Sequence, residues 1–117
     1  VWNHDVALKI VDLYLDINHQ DDNGSVALQY ALSRSYHELS CKILQKYPNV
    51  NLIDKHGNNS LWTAVLNPKK DWDIIRSIFD LGAAAYHVNK AGRSVLDFAI
   101  QSDNQKLIAL INEKSQL

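Results

Sequence analysis

The sequence predicts an all-α solenoid of about three and a half helix–turn–helix units joined by β-hairpin-like loops, and three observations predict it. Three blocks align: Gly24-Ser-Val-Ala-Leu28-Gln-Tyr-Ala31, Gly57-Asn-Asn-Ser-Leu61-Trp-Thr-Ala64 and Gly92-Arg-Ser-Val-Leu96-Asp-Phe-Ala99. Each has a Gly, a Leu four later and an Ala seven later, and the glycines are 33 and 35 residues apart. Independently, Tyr14-Leu-Asp-Ile-Asn18 matches Tyr47-Pro-Asn-Val-Asn51, again 33 apart. Finally, ten residues run from Leu15 to Gly24, from Pro48 to Gly57 and from Ala83 to Gly92. A fixed period of this length marks stacked supersecondary units, each burying its apolar face against the next.

The units follow in order. Residues 1–23 form a half repeat: Asp5-Val-Ala-Leu-Lys-Ile-Val-Asp-Leu13 reads as a second helix whose own first helix is missing, with Trp2 filling part of that gap. Complete units span 24–56, 57–91 and 92–117, in one domain of 117 residues. Leu28, Ala31 and Leu32 have helical spacing on a first helix, and Ala31, Ala64 and Ala99 are small enough to let first helices approach. On second helices the apolar residues are Leu39, Ile43 and Leu44; Ile74, Ile75, Ile78 and Phe79; Leu107, Ile108, Leu110 and Ile111. Ser35-Tyr-His-Glu38 and Ser102-Asp-Asn-Gln105 have the capping-box pattern, and Asp71 is placed to cap the middle one. Gly24, Gly57 and Gly92 stand where each hairpin turns back. Asn67-Pro-Lys-Lys70 holds two residues more than its counterparts, a lengthened bend. Asn112-Glu-Lys-Ser-Gln-Leu117 is polar, as a terminal cap would be. The absence of methionine and the start at Val1 mark a piece of something longer.

A period of 33 with Gly-x-Thr-Pro-Leu-His-x-Ala is the ankyrin repeat, which this chain resembles over nearly its full length. Val26, Asn59 and Ser94 stand at the family's Thr; Ala27, Ser60 and Val95 at its Pro; Gln29, Trp62 and Asp97 at its His. The closing Gly-Ala-Asp survives as Gly82-Ala83-Ala84, while Tyr14 and Tyr47 replace that Gly elsewhere. With Trp62 at the His position the stacking hydrogen bond is lost, and a filler between helices is favoured over an interface anchor.

Composition and motifs exclude most chemistry. Twelve Lys and Arg against thirteen Asp and Glu give net −1, without the basic surface that nucleic acid or anionic membrane requires. One cysteine, Cys41, forms no internal disulfide, and no apolar run is long enough to span a membrane. His4, His19, His37, His56 and His87 fall at scattered stations, read as solvated loop residues rather than metal ligands. Cys41 reads as a structural thiol without a base, and His37-Glu38 and Asp71-Trp-Asp73 as helix-start residues. No phosphate loop, nucleophile elbow or zinc-protease motif occurs. The expectation is no enzyme, no cofactor and no metal.

Charge is uneven along the chain: −4 over residues 1–23, +2 over 24–56, +1 over 57–91 and 0 beyond. A solenoid leaves an extended concave face free for recognition. The resemblance puts hairpin tips at Asp22, Asn23 and Ser25, at Lys55, His56 and Asn58, and at Lys90 and Arg93. It puts helix-side positions at Ser33, Arg34, Leu66, Asn67, Gln101 and Ser102, and the lengthened bend adds Lys69 and Lys70 as a contact for an acidic partner. Gly57-Asn-Asn-Ser-Leu-Trp-Thr-Ala-Val65 and Gly92-Arg-Ser-Val-Leu-Asp-Phe-Ala99 also resemble variants in bacterial ankyrin-type immunity proteins. That resemblance implies a cytoplasmic inhibitor that binds a toxin domain stoichiometrically. An adaptor or scaffold fragment of a longer array, in a host, viral or effector protein, is the alternative.

Overall fold

The computed structural model describes residues 16–114. Six helices follow in order: α1 Ala27–Ser33, α2 His37–Leu44, α3 Ser60–Leu66, α4 Trp72–Asp80, α5 Val95–Gln101 and α6 Gln105–Lys114. They form three antiparallel-type pairs, α1/α2, α3/α4 and α5/α6, and no strand occurs among the described residues. First helices stack on first helices, α1 on α3 on α5, and second on second, α2 on α4 on α6. The helix expected over 5–13 and Trp2 lie outside the described residues.

The stack is held by its repeated apolar positions. Leu28, Ala31, Leu61, Val65, Ile75, Ile78, Val95, Ala99 and Leu107 are all fully buried in one continuous core. The three small residues Ala31, Ala64 and Ala99 are buried where first helices meet, as their size predicts. The last unit is less covered. Ile100 stands where Val65 stands one unit earlier, yet it is 60% exposed while Val65 is fully buried.

Two of the expected capping boxes do not form. Ser35 and Asp103 adopt φ of 58° and 51°, in the left-handed region. Each ends the preceding helix: the next residue's N–H donates back five residues, Tyr36 to Ala31 O and Asn104 to Ala99 O, both at 2.9 Å. This is the Schellman closure, and a residue in that conformation cannot also take the extended backbone of an N-cap. The caps thus fall later, at Tyr36 rather than Ser35 and at Asn104 rather than Ser102. Asn104 Oδ1 accepts from Leu107 N at 3.0 Å, and Ser102 instead donates its hydroxyl to Phe98 O. Asp71 caps α4 as expected, accepting from Ile74 N at 3.2 Å. First helices carry their own caps: Asn59 Oδ1 accepts from Trp62 N, and Ser94 and Asp97 bond reciprocally.

Tyr47 takes φ of 53° at the end of α2, the position that Gly82 fills after α4 with φ of 90°. A left-handed conformation costs an L-residue roughly 1–2 kcal/mol, and Pro48, lacking an N–H, cannot close the turn behind it. Tyr47 is 80% exposed, so its ring gives little packing in return. Tyr47→Gly is expected to raise stability by about 0.5–1 kcal/mol net of chain entropy, seen as a higher urea midpoint with an unchanged slope.

Candidate partner-binding face

Each hairpin is built around one side chain. Asp21 Oδ1 accepts from Asn23 N and Ser25 N, both at 2.9 Å, while Asp21 N donates to Ser25 O. Asp54 repeats this with His56 N, Asn58 N and Asn58 O, and Asn89 with Ala91 N, Arg93 N and Arg93 O. One carboxylate or amide oxygen thus organises each tip, leaving the flanking side chains outward. Successive hairpins are then joined: Lys55 N donates to Asn23 O at 2.8 Å, and Lys90 N to His56 O at 3.0 Å. Asn18 and Asn51 add staples, to Asn49 N and to Ala84 N, at 2.8 Å each. The row is rigid in its backbone and ordered in charge, from Asp21 and Asp22 through Lys55 and His56 to Lys90 and Arg93.

The predicted site residues divide into groups. Asn23, Ser25, Ser33 and Arg34 line one groove of ≈ 530 Å³, with Asp16, His19, Tyr30, Asp54 and Thr63. Arg34 stacks its guanidinium 3.8 Å above the Tyr30 ring there, a contact that pre-orders the cation. Asp22, Lys55, His56 and Lys90 are exposed at the tips. Arg93 hydrogen-bonds Gln101, which brings two predicted residues together, and lies 6.0 Å from the Phe98 ring centroid. Leu66, 50% exposed, and Ser102 sit at the ends of first helices.

Others are structural. Asn58 is half-buried and accepts from Asn89 Nδ2 at 2.9 Å. Asn67 donates to Leu32 O and Ser35 Oγ and accepts from Lys69 N, so it ties the inserted bend to the preceding unit. It stands before Pro68 in extended backbone, φ −67° and ψ 123°, as a following proline demands. Lys69 and Lys70 belong to this bend, beside Asp71 and Trp72, and neither lines the hairpin-side groove.

Sequence reasoning missed Ile53 and Val88, 41% and 54% exposed, each four residues before its hairpin glycine. The signal was present: the equivalent position in the first hairpin is the polar Gln20, so the station does not require an apolar core residue. Gln29 and Trp62, at one station, act differently. Gln29 Nε2 donates to Asn58 O at 3.0 Å across the unit boundary, keeping an inter-unit bond. Trp62 is buried against Phe98, centroids 5.7 Å apart, and its Nε1 has no partner among the described residues. It is a filler.

Two readings need correction. The reading of the histidines as solvated loop residues fails at His87, whose Nε2 is buried without a partner among the described residues, while His37 opens α2 as its helix-start reading expects. Cys41 is half-exposed and lies beside a base, since His37 Nε2 is 3.5 Å from its Sγ. Among the described residues, no three His, Cys, Asp or Glu side chains gather as a metal site, and no helix is long and apolar enough to cross a membrane.

The architecture matches a solved structure, an ankyrin repeat domain from Acinetobacter baumannii AYE, with TM-score 0.78 and 17% identity over 95% of this chain. The fold is that of an ankyrin-repeat domain. The chain spans 62% of that neighbour. Among curated proteins it is 28% identical over 93 residues to the Arabidopsis thaliana potassium channel AKT2/3, covering 80% of this chain but 11% of the channel's length. No family model matches. Ankyrin-repeat folds are generally binding scaffolds for other proteins.

Proposed function

We propose that this chain is a non-catalytic protein-binding module that holds its partner on the concave side, across the hairpin tips and the outer flank of the first helices. One observation carries the reading. The hairpin backbones are locked to one another through Lys55 N and Lys90 N, while their side chains stand outward in an acidic-to-basic order. A rigid row with graded charge costs little ordering entropy on binding and fixes the direction in which a partner lies. Ile53 and Val88 supply apolar contact within that row, and Arg34 on Tyr30 supplies a pre-ordered cation.

In its finer form, the partner is a toxin domain and the chain a cytoplasmic immunity protein that neutralises it by covering it. This rests on the Gly57–Val65 and Gly92–Ala99 motifs. The second reading, a module within a longer adaptor, is favoured by the likeness to a short part of a much longer channel.

Affinity capture from the native host with mass spectrometry separates the two. A toxin domain recovered at one-to-one stoichiometry supports neutralisation, and a membrane or signalling assembly supports the adaptor. Replacing Lys55, His56, Lys90 and Arg93 together by alanine is expected to weaken the captured complex by about 100-fold, at roughly 0.7 kcal/mol per residue. Unchanged affinity would place the partner elsewhere.

A further inference from the structure

Away from the hairpins, three side chains from two repeats form a relay. Cys41 and His37 stand one turn apart on α2, with Cys41 Sγ 3.5 Å from His37 Nε2. Across the unit boundary, His37 Nδ1 lies 2.5 Å from Asp71 Oδ2, on the residue that caps α4. An Nδ1–H donated to Asp71 selects the tautomer whose Nε2 lone pair faces the thiol. Nucleophile, base and orienting carboxylate are therefore in line. Cys41 and His37 open onto a groove of ≈ 510 Å³ between α2 and α4, also lined by Asp73 and Asp80. None of its lining residues belongs to the hairpin-side groove.

We propose that Cys41 is a covalent modification site that takes small cationic disulfides by thiol–disulfide exchange, with His37 as base and Asp71 as positioning residue. As Cys41 Sγ bonds to one sulfur of the incoming disulfide, its proton passes to His37 Nε2. The disulfide's own S–S bond breaks, and the departing thiolate takes the proton from His37. Cys41 ends oxidised in a mixed disulfide, the reagent is reduced to one free thiol, and no further reactant is needed.

Electrostatics selects this chemistry. Burial pushes the Cys41 thiol above its ordinary value, and the carboxylates of Asp71 and Asp73 push it further. No thiolate is stored, so the proton has to leave at the moment of attack, to a base already in contact. A thiol of higher pKa is the stronger nucleophile once deprotonated but holds less thiolate at neutral pH, so its rate depends on the base that takes the proton. The same carboxylates attract a cationic reagent and repel an anionic one over about a Debye length. Asp80 is partly neutralised by Lys114, 2.6 Å away, which leaves Asp71 and Asp73 as the carboxylates that act on the thiol.

The test compares cystamine with oxidised glutathione at low ionic strength, following the mixed disulfide by mass, with N-acetylcysteine amide as reference thiol. Cystamine at neutral pH is expected to react with the protein about ten-fold faster than oxidised glutathione does, beyond the ratio the reference thiol shows, and several-fold faster with the parent than with His37→Gln. High salt should erase the charge preference. Asp71→Asn keeps a capping oxygen and should displace the pH–rate profile, an effect that a purely structural role would not produce. Asp73→Asn should narrow the charge preference, with tryptophan fluorescence reporting that each variant is folded. A His37→Gln rate equal to the parent's, or equal rates for the two disulfides, would each overturn the proposal.

Discussion

Replacing Ile75 by alanine is expected to cost about 2–5 kcal/mol of stability, and replacing Ile108 by alanine distinctly less. The two isoleucines occupy the same station of successive second helices, four residues after the caps Asp71 and Asn104. Ile75 is fully buried because α4 is flanked on both sides, by α2 and by α6. Ile108 is half-buried, since among the described residues no further helix lies beyond α6. The cost of truncation follows the cavity left behind, and only the enclosed site leaves a closed one. Loss in the middle unit also weakens both of its interfaces, and an array is stabilised by neighbour contacts. Urea denaturation of the two variants decides the matter. Equal midpoint shifts would mean that α6 is covered as fully as α4.

Gly57→Ala is expected to destabilise more than Gly92→Ala, although the two glycines have nearly the same φ, 78° and 79°. The shared left-handed conformation gives both variants a penalty of roughly 1–2 kcal/mol. Surroundings separate them. A Cβ on Gly57 would sit 3.0 Å from Lys90 N and 3.2 Å from Asn89 Cα, whereas one on Gly92 meets nothing within 4 Å. Lys90 N is the amide that donates to His56 O and joins the second hairpin to the third. Relief of the clash has to move backbone rather than a flexible side chain, adding about 1–3 kcal/mol. The difference between the two variants in thermal or urea unfolding thus measures the hairpin-to-hairpin junction alone. If the two cost the same, that junction tolerates displacement and the row of tips is not rigid.

Much of the fold was legible because its signals are local and recur. The Gly, Leu and Ala stations of each unit serve the same turn, core and stacking roles, so spacing alone identified them even where Thr, Pro and His were replaced. The caps were misread, by one residue at Ser35 and by two at Ser102, because Ser35 and Asp103 take up the left-handed closure of the previous helix. Two local motifs compete for the same residue there, and the Schellman closure wins through its extra backbone bond. Asn67 looked like a free loop residue, yet its amide spans a unit boundary 35 residues away to reach Leu32 O.

The site divides in the same way. The tip residues Lys55, His56 and Lys90 were legible because a hairpin tip is exposed by its own geometry. Ile53 and Val88 were passed over because an apolar residue by itself does not declare which side it faces. His37 and Cys41 stand at i and i+4 on one helix face, yet Cys41 was read as a thiol without a base. Asp71 joins them only because α4 stacks on α2 with its cap level with the start of that helix. The sequence by itself determined the period, the all-helical units, the turn glycines and the order of charge along the chain, since each depends on residues a few positions apart. Only the tertiary structure decided which amides staple neighbouring units, how far the last unit is covered and which base meets the thiol. Those depend on the offset between stacked helices, a sum of packing contacts that no short stretch of chain contains.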